Sequence, residues 1–379
     1  MRVKLESFLE ETSEKTTRNN QYPVLTSSKS GLYLQSDYFN KQVASTDNTG
    51  YKVIRRGEFT YRAMSDTGEF FPNMLECADI GIVSPAYPVF RITKPSVIVP
   101  EYLKYFFKSD SFQFSIASFA QGSTRTSIKY TKLKTVTIEL PAITDQKHII
   151  AVLNKTAAII EKRKQQLSEL DGLVKARFVE MFGDAFEHTK LTIDDVAEES
   201  TVGIANSATH AYSDSGVVLL RNQNIRVNSL DDSDLIYITE EFASNYKNKA
   251  LKVNDILVTR TGANVGMACI VPSKYEGCQT FTTLILRLKK NVRISPVFVC
   301  HYINSPLGKK FIDDKKVGGA QPNFGAKQLA TMPIIIPVAE LQSQFEMLVE
   351  QTDKSKAVVQ KALDEAQTLF DSLMQQYFG

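Results

Sequence analysis

The chain has 379 residues, of which 43% are hydrophobic and 23% are charged. This composition excludes a wholly disordered protein, and at about 100–200 residues per domain the length predicts two or three domains. The 45 basic and 42 acidic residues leave a net charge of +3, which excludes a histone-like polycation but allows local basic patches.

The N-terminal part, 1–142, is rich in β-branched and aromatic residues that are interrupted by glycine, proline, asparagine and serine. Alternating apolar and polar residues at 51–56 predict a strand. The segment 100–108 begins with a proline and predicts a short helix. The sequence therefore predicts an α+β domain over 1–142.

A long helix is predicted next, over 143–183. Its apolar residues Leu153, Ile160, Leu167 and Val174 recur every seven positions, with charged and amide side chains between them. A narrow apolar seam of this kind is typical of a helix that packs on another helix. At 1.5 Å rise per residue, about 37 residues give a rod of roughly 55 Å.

The same two elements then occur again, as an α+β domain over 184–338 and a second long helix over 339–379. Alternation at 282–288 predicts a strand, and 296–304 predicts another short helix that begins with proline. The second long helix has its own apolar seam, which contains Leu348, Val359, Leu363 and Phe370.

The two halves are copies of one unit. Segments 133–141 and 329–337 align at an offset of 196, which also places Gln146 on Gln342. Near the N-terminus, Lys4 matches Lys190 at an offset of 186, so we expect the second copy to be about ten residues longer. The predicted fold is α+β, with two α/β domains separated by two long antiparallel coiled-coil helices and a pseudo-two-fold internal repeat. The alternative, that each helix belongs to the core of its own domain, stays open.

Common catalytic motifs are missing. The sequence has no Walker A loop, no H-E-x-x-H or H-x-E metal motif, no G-x-S-x-G elbow and no S-adenosylmethionine loop. The four cysteines do not fall at zinc-ligand spacing. We therefore expect a chain that binds rather than catalyses, with no metal and no cofactor of its own. Without an apolar signal segment or membrane span, we also expect a cytoplasmic protein.

Polar loops in both domains contain the side chains that proteins use on DNA. Arginine can pair with guanine, asparagine and glutamine can pair with adenine, and serine and threonine hydroxyls suit phosphates. The candidates in the first domain are Ser28, Lys29, Tyr61, Arg62, Ser123 and Arg125. The candidates in the second domain are Arg221, Asn222, Gln223, Asn224, Arg260, Thr261, Asn264, Gln321 and Asn323.

Two such domains on a rigid spacer would read two short half-sites of DNA. Once one domain is bound, the second binds intramolecularly at high effective concentration. Because the two domains differ in sequence, their target would be asymmetric and bipartite.

The most characteristic segments are 257–266 and 318–337 in the second domain, with 22–31, 38–45 and 81–87 in the first. Together they resemble the specificity subunit of type I restriction-modification systems, over essentially the whole chain. The resemblance implies two target-recognition domains, 1–142 and 184–338, each of which reads one half-site.

The resemblance also implies the partners. The two spacer helices would hold the domains apart and dock two modification (methyltransferase) subunits that methylate adenine N6. Two ATP-dependent restriction subunits would complete the nuclease. S-adenosylmethionine, ATP and Mg would belong to these partners, and this chain would be a non-catalytic subunit that binds double-stranded DNA.

Three other interpretations remain open from the sequence. The chain could be a methyltransferase or nuclease with unrecognised motifs, or a coiled-coil scaffold with no role in DNA recognition. It could also be a silent member of the family that lacks partners.

Overall fold

The computed structural model describes residues 2–38, 47–119, 126–206, 208–319 and 322–379. The chain divides into two compact units, Met1–Lys164 with Lys361–Gly379 and Gln165–Gln360. Both boundaries lie inside long helices, whereas the sequence placed domain boundaries at the helix ends. The difference arises because each half of a long helix packs into the core of a different unit.

The first copy of the repeat consists of short strands and short helices, followed by one long helix. Its strands are β1 (Arg2–Lys4), β2 (Leu9–Thr12), β3 (Leu25–Ser27), β4 (Leu32–Leu34), β5 (Lys52–Arg55), β6 (Phe59–Thr60), β7 (Met64–Ser65), β8 (Asn73–Met74), β9 (Ile80–Val83), β10 (Val89–Ile92), β11 (Thr126–Ser127) and β12 (Thr137–Glu139). Its helices are α1 (Gln35–Tyr38), α2 (Pro100–Phe106), α3 (Asp110–Ala117), α4 (Tyr130–Leu133) and the long α5 (Ile143–Phe182), with a 3-10 turn at Leu5–Ser7.

The second copy has the same plan. Its strands are β13 (Ala197–Val202), β14 (Tyr212–Ser213), β15 (Val217–Arg221), β16 (Ile225–Arg226), β17 (Ser229–Leu230), β18 (Ile236–Ile238), β19 (Ile256–Val258), β20 (Ala268–Ile270), β21 (Gln279–Phe281) and β22 (Leu284–Leu288). Its helices are α6 (Ile193–Val196), α7 (Glu240–Ser244), α8 (Pro296–Asn304), α9 (Pro306–Lys315), α10 (Ala326–Ala330) and the long α11 (Ala339–Phe378). Short 3-10 turns lie at Gly183–His188, Thr209–Ala211, Asn222–Asn224, Lys247–Lys249 and Ser273–Tyr275.

Each copy contains the same four-stranded antiparallel sheet. The strand order is β2-β10-β6-β8 in the first copy and β13-β22-β19-β20 in the second. An arginine on the second strand of each order pairs with a glutamate on the first, in Arg91–Glu10 at 2.9 Å and Arg287–Glu199 at 2.8 Å. The second copy adds the mixed sheet β14-β18-β15-β21, in which β15 and β21 are parallel. The repeat found in the sequence is therefore a repeat of topology.

The start of the two copies corrects the register inferred from the sequence. The amide of Leu5 donates to the carbonyl of Val136, and the amide of Ile193 donates to that of Met332, at 2.9 and 2.8 Å. Val136 and Met332 are 196 residues apart, so Leu5 corresponds to Ile193 at an offset of 188 rather than 186. The side chains of Leu5 and Ile193 are both fully buried. Their equivalent positions in the two cores fix the offset at 188, which the match between Lys4 and Lys190 does not give.

A buried glutamine ties each long helix to its own copy. Gln146 accepts from the amide of Val99 at 2.9 Å and donates to the carbonyls of Val97 and Pro141, both at 3.0 Å. Gln342 makes the same three bonds with residues 196 positions further along the chain, Ser295, Arg293 and Pro337. All polar groups of each amide side chain are thereby paired, which makes its burial possible.

The apolar seams of the long helices face inward. In α5, Leu153, Ile160 and Val174 are buried and Leu167 is partly buried. In the second unit, α5 and α11 run antiparallel, because Asp171 pairs with Lys356 at 2.6 Å and Phe178 contacts Phe345 further along. The remaining seam residues are all partly buried, namely Leu348, Val359, Leu363 and Phe370.

The same helices also complete the cores of the globular parts. Leu153 and Phe378 join the core of the first unit, where the rings of Phe59 and Phe90 stack at 5.6 Å. In the second unit Phe178 stacks on Phe298 of α8 at 5.5 Å. Each long helix therefore fits both alternatives that the sequence left open, since it packs on the other long helix and also belongs to a domain core.

Candidate nucleic-acid interface

In both copies, the same pair of backbone contacts joins two of the segments that carry candidate residues. We call this pair of contacts the shared frame. In the first copy, the amide of Ile128 donates to the carbonyl of Ala63 at 3.0 Å, and Ser127 of β11 pairs with Met64 of β7. In the second copy, the amide of Phe324 donates to the carbonyl of Arg260 at 2.9 Å. Asn323 pairs there with Thr261, just as Ser127 pairs with Met64. The frame is the same, while the side chains on it differ.

In the first copy, the frame borders an open cleft of about 250 Å³, which we call the first-copy cleft. Its lining includes Ser28, Lys29, Arg62, Glu69 and Phe71. The structure thus brings together three predicted DNA contacts from loops that are more than thirty residues apart in sequence.

Both cations of the first-copy cleft have acidic neighbours. Lys29 pairs with Glu69 at 3.1 Å and lies 5.2 Å from the centroid of the Phe71 ring. Arg62 lies 3.6 Å from the carboxylate of Asp66. All four charged side chains are largely exposed, so water screens these pairs and phosphate oxygens can replace the carboxylates at low cost.

Tyr61 was predicted to contact DNA, and the structure contradicts this. Its side chain is fully buried and its hydroxyl donates to the carbonyl of Ile128 at 3.1 Å. Burial raises the pKa of this hydroxyl well above its usual range. Tyr61 therefore supports the frame from within the core. Ser123 and Arg125, also predicted as contacts, lie outside the described residues.

In the second copy, three segments meet to form what we call the second-copy cluster, made by Arg221, Asn222, Gln223, Arg260, Thr261 and Asn323. The Asn222 amide donates to the hydroxyl of Thr261 at 3.1 Å and so joins the loop after β15 to the loop after β19. Arg260 Nε donates to Asn323 Oδ1 at 3.2 Å. Gly262 has a φ of +89°, a left-handed conformation that favours glycine and lets the chain turn beside these residues.

Asn224, another predicted contact, has a structural role instead. It is almost fully buried, and its Oδ1 accepts from the amide of Arg221 at 2.9 Å. Its Nδ2 donates to the carbonyls of Asp231 and Asp234 at 3.0 and 2.9 Å. Every polar group of the side chain is occupied, so none remains for a base. Asn264 is exposed, and Gln321 lies outside the described residues.

The sequence reasoning missed the acidic loop that follows these residues. Arg221 Nη2 and Gln223 Nε2 both donate to Oδ2 of Asp234. The signal is the group of three aspartates at 231, 232 and 234, which follows the predicted contact loop 221–224 after one short hairpin. Hydrogen bonds from Ser233 lower the pKa of Asp231, and those from Lys274 and Tyr275 lower the pKa of Asp232. Both of these neighbours are therefore ionised at neutral pH.

No metal centre accompanies these loops in the part of the chain that the structure describes, because no three His, Cys, Asp or Glu side chains cluster there in a way that could hold an ion. Within the same residues, no helix has the length and apolarity that a membrane crossing requires.

The second copy has a recognised counterpart. Residues 187–366 match the family model described as the type I restriction modification DNA specificity domain. Residues 187–366 form such a domain. The predicted resemblance to the specificity subunits of type I restriction-modification systems is confirmed.

Two curated relatives and one solved structure extend the likeness to both copies. The EcoKI specificity subunit of Escherichia coli K12 is 19% identical over 299 residues, 74% of this chain and 64% of that protein. The StySPI specificity subunit of Salmonella potsdam is 24% identical over 298 residues, 73% of this chain and 64% of that protein. The type I S subunit from M. genitalium is 14% identical with a TM-score of 0.55, covering 100% of this chain and 96% of that one. The chain thus spans less than two thirds of the two curated relatives, and the solved structure supports the α+β fold.

Proposed function

We propose that this chain is the DNA sequence-specificity subunit of a type I restriction-modification complex. Each copy of the repeat reads one half of an asymmetric bipartite DNA site. The observation that carries the proposal is the shared frame with different side chains on it. Met64 and Ser127 stand in the first copy where Thr261 and Asn323 stand in the second. Because the frame is the same, the loops lie in the same place in both copies. Because the side chains on these loops differ, the two copies would recognise different half-sites.

The first-copy cleft and the second-copy cluster both offer groups that suit DNA. In the cleft, Ser28 and Lys29 offer hydroxyl and ammonium groups that suit phosphates, and Arg62 offers a guanidinium that suits guanine. Arg260 and Asn323 offer the planar donors and acceptors that recognise guanine and adenine edges. A wrong base pair at a position read in this way costs about 1–3 kcal/mol.

Two modification subunits would dock on the long helices. Leu173 of α5 and Leu369 of α11 are 196 residues apart and both exposed, at 46% and 53%. Each stands next to a seam residue, Val174 or Phe370, that is turned inward. Two equivalent exposed leucines on two equivalent helices support two equivalent docking points for two copies of one partner.

The chemistry would belong to these partners. The modification subunits would hold S-adenosylmethionine, flip the target adenine out of the duplex and methylate its N6. Two restriction subunits would supply ATP- and Mg-dependent cleavage. This chain would then work in the cytoplasm as a non-catalytic subunit without a cofactor.

Long-read sequencing of host DNA, with and without this gene, tests the proposal. We expect N6-methyladenine to disappear from one asymmetric bipartite motif when the gene is deleted and to return on complementation. An unchanged set of methylated motifs would contradict the proposal. Methyl transfer by the purified chain alone, given S-adenosylmethionine and DNA, would support an enzyme instead.

A further inference from the structure

Three aspartates lie beside the second-copy cluster, where negative charge opposes DNA phosphates. Asp231 pairs with Arg226 at 2.7 Å. Asp232 pairs with Lys274 and also accepts from the hydroxyl of Tyr275 at 2.6 Å. These two pairs fasten the loop to neighbouring surface side chains. Neither pair involves a residue that we expect to contact DNA.

Asp234 differs from the other two in its partners. Its carboxylate accepts from Arg221 at 2.9 Å and from Gln223, two members of the second-copy cluster. Its side chain is 66% exposed, compared with 31% for Asp231 and 41% for Asp232. Both bonds end on Oδ2, and among the described residues none donates to Oδ1. A carboxylate oxygen with free lone pairs therefore faces solvent beside the second-copy cluster.

Hydrogen bonds to the backbone of Asp234 help to fix the position of its carboxylate. The backbone carbonyl of Asp234 accepts from Arg221 Nη2 at 3.0 Å and from Asn224 Nδ2 at 2.9 Å. Asn224 is buried and also binds the amide of Arg221. Arg221 thus holds both the backbone and the side chain of Asp234. An acceptor held in this way loses little conformational entropy when a ligand binds.

We propose that Asp234 reads a base: its Oδ1 accepts a hydrogen bond from an exocyclic amino group, the N4 of cytosine or the N6 of adenine, in the half-site read by the second copy. Phosphates repel a carboxylate, and in the major groove these amino groups are the donors that a base edge offers. Arg221 and Gln223 act as positioning residues that hold the carboxylate toward the groove. This inference rests on the proposed function and adds a specificity-determining residue to it.

The Asp234→Asn variant tests the inference in the full chain, co-expressed with its methyltransferase partner and followed by long-read sequencing of host DNA. The amide keeps the shape of the side chain but presents a donor as readily as an acceptor. We expect one position of one half-site to lose its requirement for cytosine or adenine, with discrimination there falling about tenfold or more. The base required by the wild type at that position tells which of the two amino groups is read.

Asp232→Asn is the matched control, since it removes the same charge from the same loop but leaves the second-copy cluster intact. We expect its methylated motif to equal that of the wild type, and both variants to unfold at the temperature of the wild type. A uniform loss of methylation with an unchanged motif in Asp234→Asn would overturn the inference, because it would indicate a positioning role alone. Equal relaxation by both variants would overturn it as well. A wild type that methylates no motif would overturn the proposed function first and this inference with it.

Discussion

At the scale of single residues, the equivalent buried glutamines Gln146 and Gln342 predict a large effect of substitution on stability. Gln342→Ala leaves the amide of Ser295 and the carbonyls of Arg293 and Pro337 without partners in a buried place. We expect the free energy of unfolding to fall by about 1–3 kcal/mol, measured by urea denaturation. Gln344→Ala, on an exposed face of the same helix, is the control and should change little. Equal effects of the two variants would contradict this role of Gln342.

His301 predicts how stability depends on pH. Its ring packs on Phe345, and desolvation there, with the nearby charge of Lys356, lowers its pKa from 6.5 to about 4. Between pH 4 and pH 6.5, His301 therefore binds a proton in the unfolded chain but not in the folded chain. Stability should therefore fall as the pH drops from about 6.5 to 4, by at most about 3 kcal/mol from this residue.

Thermal or urea unfolding across this pH range, for the wild type and His301→Gln, measures the contribution of His301. The variant should lose less stability than the wild type as the pH falls. Parallel pH profiles for the two proteins would show that His301 has no part in the acid sensitivity.

The candidate DNA contacts show how far the site could be predicted from the chemistry of single residues. Residue chemistry selected Lys29, Arg62 and Arg260, which the structure places in the first-copy cleft or the second-copy cluster. The same chemistry selected Tyr61 and Asn224, which are buried. A tyrosine or asparagine has the same hydrogen-bonding groups in a core as on a surface, so only the tertiary structure separates the two cases.

At the scale of elements, the long helices predict a contrast between two leucines of α5. Leu153 is fully buried, whereas Leu173 is 46% exposed. Leu153→Ala should lower the free energy of unfolding by about 2–5 kcal/mol, because it leaves a cavity, and Leu173→Ala should change it by less than about 1 kcal/mol. Urea denaturation of the two variants measures both. A larger loss for Leu173→Ala would contradict the assignment of the inward seam.

The two long helices, each 40 residues long, were predictable to within about a residue because their apolar seams continue over many turns. The strands were much harder to predict. Several, such as β6 and β7, contain two residues, too few to show any alternation. Their pairing depends on partners distant in sequence, as when β7 pairs with β11, and such pairing leaves no local pattern.

At the scale of the whole molecule, the repeat predicts partner stoichiometry. Leu173→Asp and Leu369→Asp each place a charge on one of the two equivalent exposed positions. We expect each single variant to bind one modification subunit instead of two, and the double variant to bind none, because a charge there opposes apolar contact. Native mass spectrometry of the co-expressed complexes measures this, with Ser372→Asp on an exposed part of α11 as the control. Two bound partners in every variant would place the docking surface elsewhere.

The repeat could be predicted from sequence because many positions match at an offset of 196, and the family could be predicted because several characteristic segments occur together. The division into two compact units could not, because it cuts both long helices between residues with no change in composition, at 164/165 and 360/361. Where each half of a helix packs depends on the cores around Leu153 and Phe178, which form only in the folded chain.

The most direct test of the central claim compares two variants by long-read sequencing of the methylated motif. Arg62→Ala alters the first-copy cleft, and Arg260→Ala alters the second-copy cluster. The account predicts that each variant changes or weakens recognition in only one half-site, that the two affected half-sites differ, and that the double variant affects both. Changes by both variants in the same half-site, or in neither, would contradict the claim that each copy reads its own half of a bipartite site.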